Sequence, residues 1–100
     1  MTDLESRPSP SLPDGISVTH DYLLGEQIKI AQLKTGYRAG SDAVFLAASL
    51  TTPRGRILDL GAGVGAVSLC LAKRLRSLQI TAVEFDSASV KLARYNAAIN

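Results

Sequence analysis

The residues best suited to chemistry are the acid and glycines of "DLGAGVGAVSLCLAKR", Asp59 to Arg74, together with Glu84 in "AVEFD". Asp59 stands two residues before Gly61, and Gly61, Gly63 and Gly65 alternate with Ala62 and Val64. A strand that ends in such a turn and runs into a helix gathers backbone N–H groups and a helix N-terminus around one spot. Gly61 and Gly63 are the positions for tight turning and close approach of a ligand, and Gly65 lets the following helix pack closely on the strand. Two parses compete. From Gly61, "GAGVGA" fits the G-x-G-x-x-G/A pattern of dinucleotide sites. From Asp59, the same letters are an acid ahead of three alternating glycines.

Asp59 discriminates between the two. A pyrophosphate on this turn is disfavoured by a carboxylate at the end of the strand beneath it. S-adenosylmethionine carries no phosphate but has an ammonium and a sulfonium, so an acid beside the turn attracts it. A charge-assisted contact of that kind is worth roughly 1.5–3 kcal/mol. Glu84, at the end of a second predicted strand, can accept from both hydroxyls of a ribose, which either cofactor has. Phe85 could lie against an adenine or belong to the core. Asp86 reads as the cap of the last helix.

Elements must position these groups. "SVTHDYLLGEQIKIAQL" alternates with period two around Gly25, which predicts a β-hairpin over Val18 to Leu24 and Gln27 to Leu33. "SDAVFLAASL" predicts a buried helix capped by Ser41 or Asp42 and ended by Thr51 to Gly55, with Pro53. "RILDL" and "QITAVEF" predict two strands, each followed by a helix, "AVSLCLAKRL" and "DSASVKLARYNAAIN". In the last helix Ala88, Leu92, Tyr95 and Ile99 form one apolar stripe. Strand, helix, strand, helix implies an α/β fold with a parallel sheet and flanking helices, preceded by a hairpin and a helix.

The proline- and serine-rich start, residues 1 to about 15, reads as a disordered tail. The hairpin and first helix span 16–52, and the β-α-β-α unit spans 55–100. Two parallel strands cannot cover both faces and both edges of a sheet, so this unit is expected to be the N-terminal part of a longer domain.

Composition excludes little else. Of 100 residues 46% are hydrophobic, enough for a core, and a net charge of +2 is not the concentrated charge of a dedicated nucleic-acid binder. It neither requires nor excludes an RNA substrate. A single cysteine, Cys70, excludes an internal disulfide and a multi-cysteine metal site, so no metal is expected and a reducing cytoplasm suits the chain. No apolar run approaches the ~18 residues of a membrane span. His20 reads as a surface residue, Cys70 as a small buried hydrophobe, Tyr95 as core, and Lys91 and Arg94 as a solvated face. Lys73, Arg74 and Arg76 gather at the end of their helix, where they suit its dipole; contact with RNA phosphate is the second reading. Arg38 is open among a surface charge, a partner of Asp42 and a guard of a cofactor carboxylate.

Taken together, "GYRAGSDAVFLAA", "ILDLGAGVGAVSLCLAKR" and "VEFDSASVKLARYNAAIN" resemble class I S-adenosylmethionine-dependent methyltransferases. The resemblance is nearest to the small-domain group that includes bacterial tRNA adenine-N6 methyltransferases, and it covers about Asp21 to Asn100. It implies that Asp59, Gly61, Gly63 and Gly65 form the first cofactor motif and Glu84 the ribose-binding acid. It also implies that Tyr37, Arg38, Gly40 and Asp42 lie over the methionine end of the cofactor. Enzymes of this group hold the acceptor nitrogen with an Asn-Pro-Pro-Tyr-type motif, which does not occur here. The resemblance therefore implies a cofactor-binding portion of an N-methyltransferase acting on tRNA adenine, with the catalytic residues unknown. Alternatives are a protein-glutamine N-methyltransferase, a dinucleotide-dependent oxidoreductase domain, and a non-catalytic cofactor-binding fragment.

Overall fold

The computed structural model describes residues 10–100, so residues 1–9 of the expected tail lie outside the described part. The hairpin comes first: β1 (Val18–Leu23) pairs antiparallel with β2 (Ile28–Leu33), Val18 opposite Leu33 and Leu23 opposite Ile28. Both strands stop one residue short of the expected bounds, because the turn is wider than the glycine alone. Leu24, Gly25 and Glu26 all take positive φ, and the Gln27 N–H donates to the Leu24 carbonyl at 3.2 Å.

α1 (Ser41–Ser49) follows, then β3 (Arg54–Leu60), α2 (Ala66–Arg74), β4 (Ser77–Val83) and α3 (Ser87–Ile99). β3 and β4 run parallel, from Arg54 opposite Ser77 to Leu60 opposite Val83. The strand-helix-strand-helix order expected from sequence is present. The boundaries differ at both ends of this pair. β3 begins at Arg54 rather than Arg56, since the ladder with Ser77 and Leu78 draws Arg54 and Gly55 into the sheet. β4 ends at Val83, so Glu84 and Phe85 lie just beyond the strand. There the Val83 carbonyl accepts from the Ala62 N–H at 3.0 Å, an exchange that ties the glycine turn to the strand end.

The core lies between the hairpin, α1, α2 and one face of the parallel pair. Leu23, Ile28, Ile30, Ala43, Ala47, Ala66, Cys70 and Leu71 are buried there, with Ile57, Leu78 and Ile80 packed against them. The opposite sheet face is bare: Leu58, Leu60 and Val83 are exposed. On α1, Phe45 and Leu46 are 71% and 62% exposed, so the helix expected to be buried is covered on one side only. Among the described residues no helix is long and apolar enough to cross a membrane.

Three local expectations need correction. α1 is capped by Gly40 rather than by Ser41 or Asp42, so the cap residue itself offers no side chain to the first turn. Asp42 sits in the first turn, where an acid suits the helix dipole, and its carboxylate turns back to the Gly40 N–H at 3.0 Å. Second, Arg74 stands in the last turn of α2 with Lys73, as expected, but its guanidinium also reaches the neighbouring helix. It donates to the Ala47 carbonyl at 2.7 Å and to the Leu50 carbonyl, so it caps α1 from the neighbouring helix. Third, of the expected α3 stripe Leu92 is buried while Ala88, Tyr95 and Ile99 are half-buried, and the buried residues of the helix are Ser89, Leu92 and Asn96. Two of those three are polar and enter the interior because each finds hydrogen-bond partners there. Tyr95 is half-buried, Lys91 and Arg94 are exposed, His20 is exposed on β1, and Cys70 is buried as expected.

Candidate cofactor-binding site

The sequence-predicted residues fall into two clusters. The first surrounds the glycine turn between β3 and α2. Gly61, Gly63 and Gly65 have φ of 68°, 59° and 96°, a region that L residues enter only at a cost. A Cβ added to Gly61 or Gly63 would meet nothing within 4 Å, so the space beside the turn is open. At Gly65 an added Cβ would lie 3.8 Å from the Ala93 Cβ, which makes this glycine the seat of α3 as well as the start of α2. The nearest neighbours of that position are Ala93 of α3 and Leu69 of α2.

Asp59 occupies the end region of β3, on the same side of the strand as Ile57, and is half-buried. Ser68 on the first turn of α2 donates its hydroxyl to Asp59 Oδ2 at 2.6 Å, leaving Oδ1 for another partner. Glu84 lies across the turn. Its Oε1 accepts from the Gly63 N–H at 2.7 Å and its Oε2 from the Asp86 N–H at 2.8 Å. These two backbone donors, Asp86 first and then Gly63, hold the Glu84 carboxyl below its ordinary range, so it is charged at neutral pH. Phe85 beside it is fully exposed. Asp86 caps α3 as expected, accepting from the Ser89 N–H and hydroxyl, both at 2.9 Å.

The second cluster is the segment between β2 and α1. The Tyr37 hydroxyl donates to Asp42, a contact that keeps the Asp42 carboxyl low and pushes the Tyr37 phenol up. Gly40 serves as the helix cap. Arg38 takes a partner outside its three open readings: it pairs with Asp21 at 2.8 Å and donates to the Leu33 carbonyl at 3.1 Å, and does not bond Asp42. Asp21 Oδ2 also accepts from Thr19 at 2.7 Å and from Gln32 at 3.1 Å. Gln32, only 3% exposed, accepts in turn from the Ala39 N–H at 2.8 Å. The hairpin therefore holds this segment through Asp21 and Gln32.

Those two residues, with Ser68 and Asn96, support the site and were missed by sequence reasoning. Ser68 carries a local signal, since it lies one helical turn after the glycine motif. The others become visible only once strands and helices are placed. Two hollows among the described residues lie away from the turn. One, of about 460 Å³, is lined by Ile16, Leu33, Lys34, Thr35 and Ala88. The other, of about 300 Å³, lies among Gln27, Ala72, Lys73, Arg76 and Asn100.

A parallel strand, a glycine turn, a helix, and an acid at the end of the adjoining strand define a Rossmann-like cofactor-binding α/β unit. Within that class, residues 38–100 match the methyltransferase small domain, and the chain belongs to that family. It is 39% identical over 75 residues to a tRNA1(Val) (adenine(37)-N6)-methyltransferase of Flavobacterium psychrophilum, covering 71% of this chain and 31% of that protein. The enzyme of the same name from Tolumonas auensis is 42% identical over 74 residues, with the same coverage of 71% and 31%. A release factor glutamine methyltransferase of Aliivibrio fischeri is 41% identical over 51 residues, 51% of this chain and 18% of that protein. The chain thus spans about a third of the length of the tRNA-modifying relatives, 31% in both cases.

Proposed function

We propose that this chain is the cofactor-binding portion of a cytoplasmic S-adenosylmethionine-dependent methyltransferase that modifies the N6 of an adenine in tRNA. The observation that carries the reading is the pair of carboxylates flanking the glycine turn, Asp59 on one side and Glu84 on the other, beside open space. Asp59 at that place suits a cationic ligand and opposes a pyrophosphate, while Glu84 suits the ribose of an adenosyl group. The tRNA acceptor is supported by what the Flavobacterium and Tolumonas relatives are named for.

In this reading each residue has a stated task. Glu84 accepts from the ribose hydroxyls, and Phe85 offers an exposed ring to the adenine. Asp59, oriented by Ser68, faces the ammonium of the methionine end. Gly61 and Gly63 let the backbone approach, and Gly65 seats the helices behind it. Tyr37, Arg38, Gly40 and Asp42 close over the methionine end, held in place by Asp21 and Gln32. Bound S-adenosylmethionine would supply an electrophilic methyl group on sulfonium, with S-adenosylhomocysteine as the leaving group and a proton lost from the acceptor nitrogen. The protein's contribution is alignment and exclusion of water. The Asn-Pro-Pro-Tyr-type acceptor motif is not among these 100 residues.

Calorimetry with S-adenosylhomocysteine and with NAD tests the cofactor. S-adenosylhomocysteine is expected to bind, and binding of NAD alone would overturn the reading. Labelled methyl transfer to a tRNA pool and to release factor then tests the acceptor. The identity to the Aliivibrio glutamine methyltransferase favours a second reading, a protein-glutamine N-methyltransferase. Label on release factor and none on tRNA would select it.

A further inference from the structure

We infer that Asn96 is a positioning residue that fixes the glycine turn against the hairpin and, through the hairpin, against the segment carrying Tyr37, Arg38 and Asp42. Its bearing on cofactor binding rests on the function proposed above. Asn96 lies on α3 with 0% exposure, and an amide so placed must have its donors and acceptor met. All are met. Its Oδ1 accepts from the Ala31 N–H at 2.8 Å, while its Nδ2 donates to the Ala31 carbonyl at 3.0 Å and to the Val64 carbonyl at 2.9 Å. The partners dictate the orientation of the amide: two carbonyls need N–H donors, and one N–H needs an oxygen.

Val64 stands between Gly63 and Gly65, inside the turn. Ala31 stands next to Gln32, whose side chain holds the Ala39 N–H and Asp21, and Asp21 holds Arg38. One buried side chain therefore joins the two clusters of the candidate site. Asn100, one helical turn further on, shows what clamping the hairpin alone requires. It accepts from the Lys29 N–H at 3.0 Å and donates to the Lys29 carbonyl at 2.7 Å, the same pairing two residues along β2, and its amide also donates to the Asn96 backbone carbonyl at 2.7 Å. It bonds no residue of the glycine turn. The bond to Val64 is what Asn96 adds, and it bears on the shape of the turn rather than on holding β2.

The test compares Asn96→Ser and Asn96→Asp with Asn100→Ala in the intact protein. Affinity for S-adenosylhomocysteine is measured by calorimetry, the melting temperature by circular dichroism, and amide exchange at Gly65, whose N–H bonds the Ala62 carbonyl at 3.0 Å, by NMR. The Asn96 variants are expected to lose affinity at least about tenfold and to exchange faster at Gly65. Asn100→Ala is expected to lower the melting temperature while shifting affinity less than about twofold and leaving that exchange unchanged. Should the buried charge of Asn96→Asp prevent folding, Asn96→Ser keeps a donor and an acceptor in a smaller side chain and carries the comparison. Unchanged affinity and exchange in a folded Asn96 variant, or an equal loss in Asn100→Ala, overturns the inference. Failure of the unsubstituted protein to bind S-adenosylhomocysteine defeats the proposed function instead, and the exchange comparison still decides whether Asn96 holds the turn.

Discussion

At the scale of single residues, the candidate site depends on carboxylates whose partners are backbone groups and hydroxyls. Among the described residues the Asp59 carboxylate accepts from Ser68 alone, through Oδ2, so in the proposed reading Oδ1 is the atom that faces an ammonium. Replacing Asp59 by Ala should weaken S-adenosylmethionine binding at least about tenfold, roughly 1.4 kcal/mol, as read by calorimetry. Unchanged affinity would remove Asp59 from the site. Asp86 belongs to the same scale but to stability. Its carboxyl is held below the ordinary 3.8 by the Ser89 N–H and hydroxyl. A depressed folded value means the cap contributes fully above the unfolded value and is lost as pH falls through the folded one. Melting temperature should therefore drop as pH falls below about 3.8. Asp86→Asn, which keeps a cap without titrating there, should show a shallower drop.

At the scale of elements, the helices are joined by polar side chains that a hydrophobic pattern does not reveal. Arg74 reaches from α2 to the Ala47 carbonyl, which also accepts from the Leu50 N–H, and to the Leu50 carbonyl at the end of α1. Arg74→Ala should cost about 1 kcal/mol in urea unfolding, the net worth of such bonds at a partly solvated site. Lys73→Ala, on the same helix end without that partner, should stay within about 0.5 kcal/mol. Equal effects would show that the helix dipole, and not the link to α1, is what these cations serve. The periodicity of α3 illustrates why the pattern misled. Ser89 and Asn96 are polar by type, yet Ser89 is met by the Asp86 cap of its own helix, and β2 and the glycine turn supply the partners that make burial of Asn96 favourable.

At the scale of the whole molecule, Phe45, Leu46, Leu58, Leu60, Val83 and Phe85 expose large apolar groups on α1 and on the bare face of the parallel pair. Surface of this kind associates in water unless something covers it. The 100-residue chain on its own is expected to self-associate, seen as mass above 10.6 kDa in sedimentation. A monodisperse monomer that unfolds cooperatively would contradict this.

The glycine turn, Asp59, Glu84 and the strand-helix-strand-helix order were legible in the sequence because each rests on local rules. Positive φ demands glycine, strands alternate, and capping acids stand at fixed offsets from their helices. The parallel ladder added Arg54 and Gly55 to β3 and left Glu84 outside β4, since ladder length depends on a partner strand. Tertiary structure alone decided that Arg38 pairs with Asp21, that Arg74 caps a foreign helix, and that Asn96 spans from Ala31 to Val64. Those partners lie 17, 27, 65 and 32 residues apart in the chain. Contacts between such distant groups are set by packing, which no spacing rule along one chain encodes.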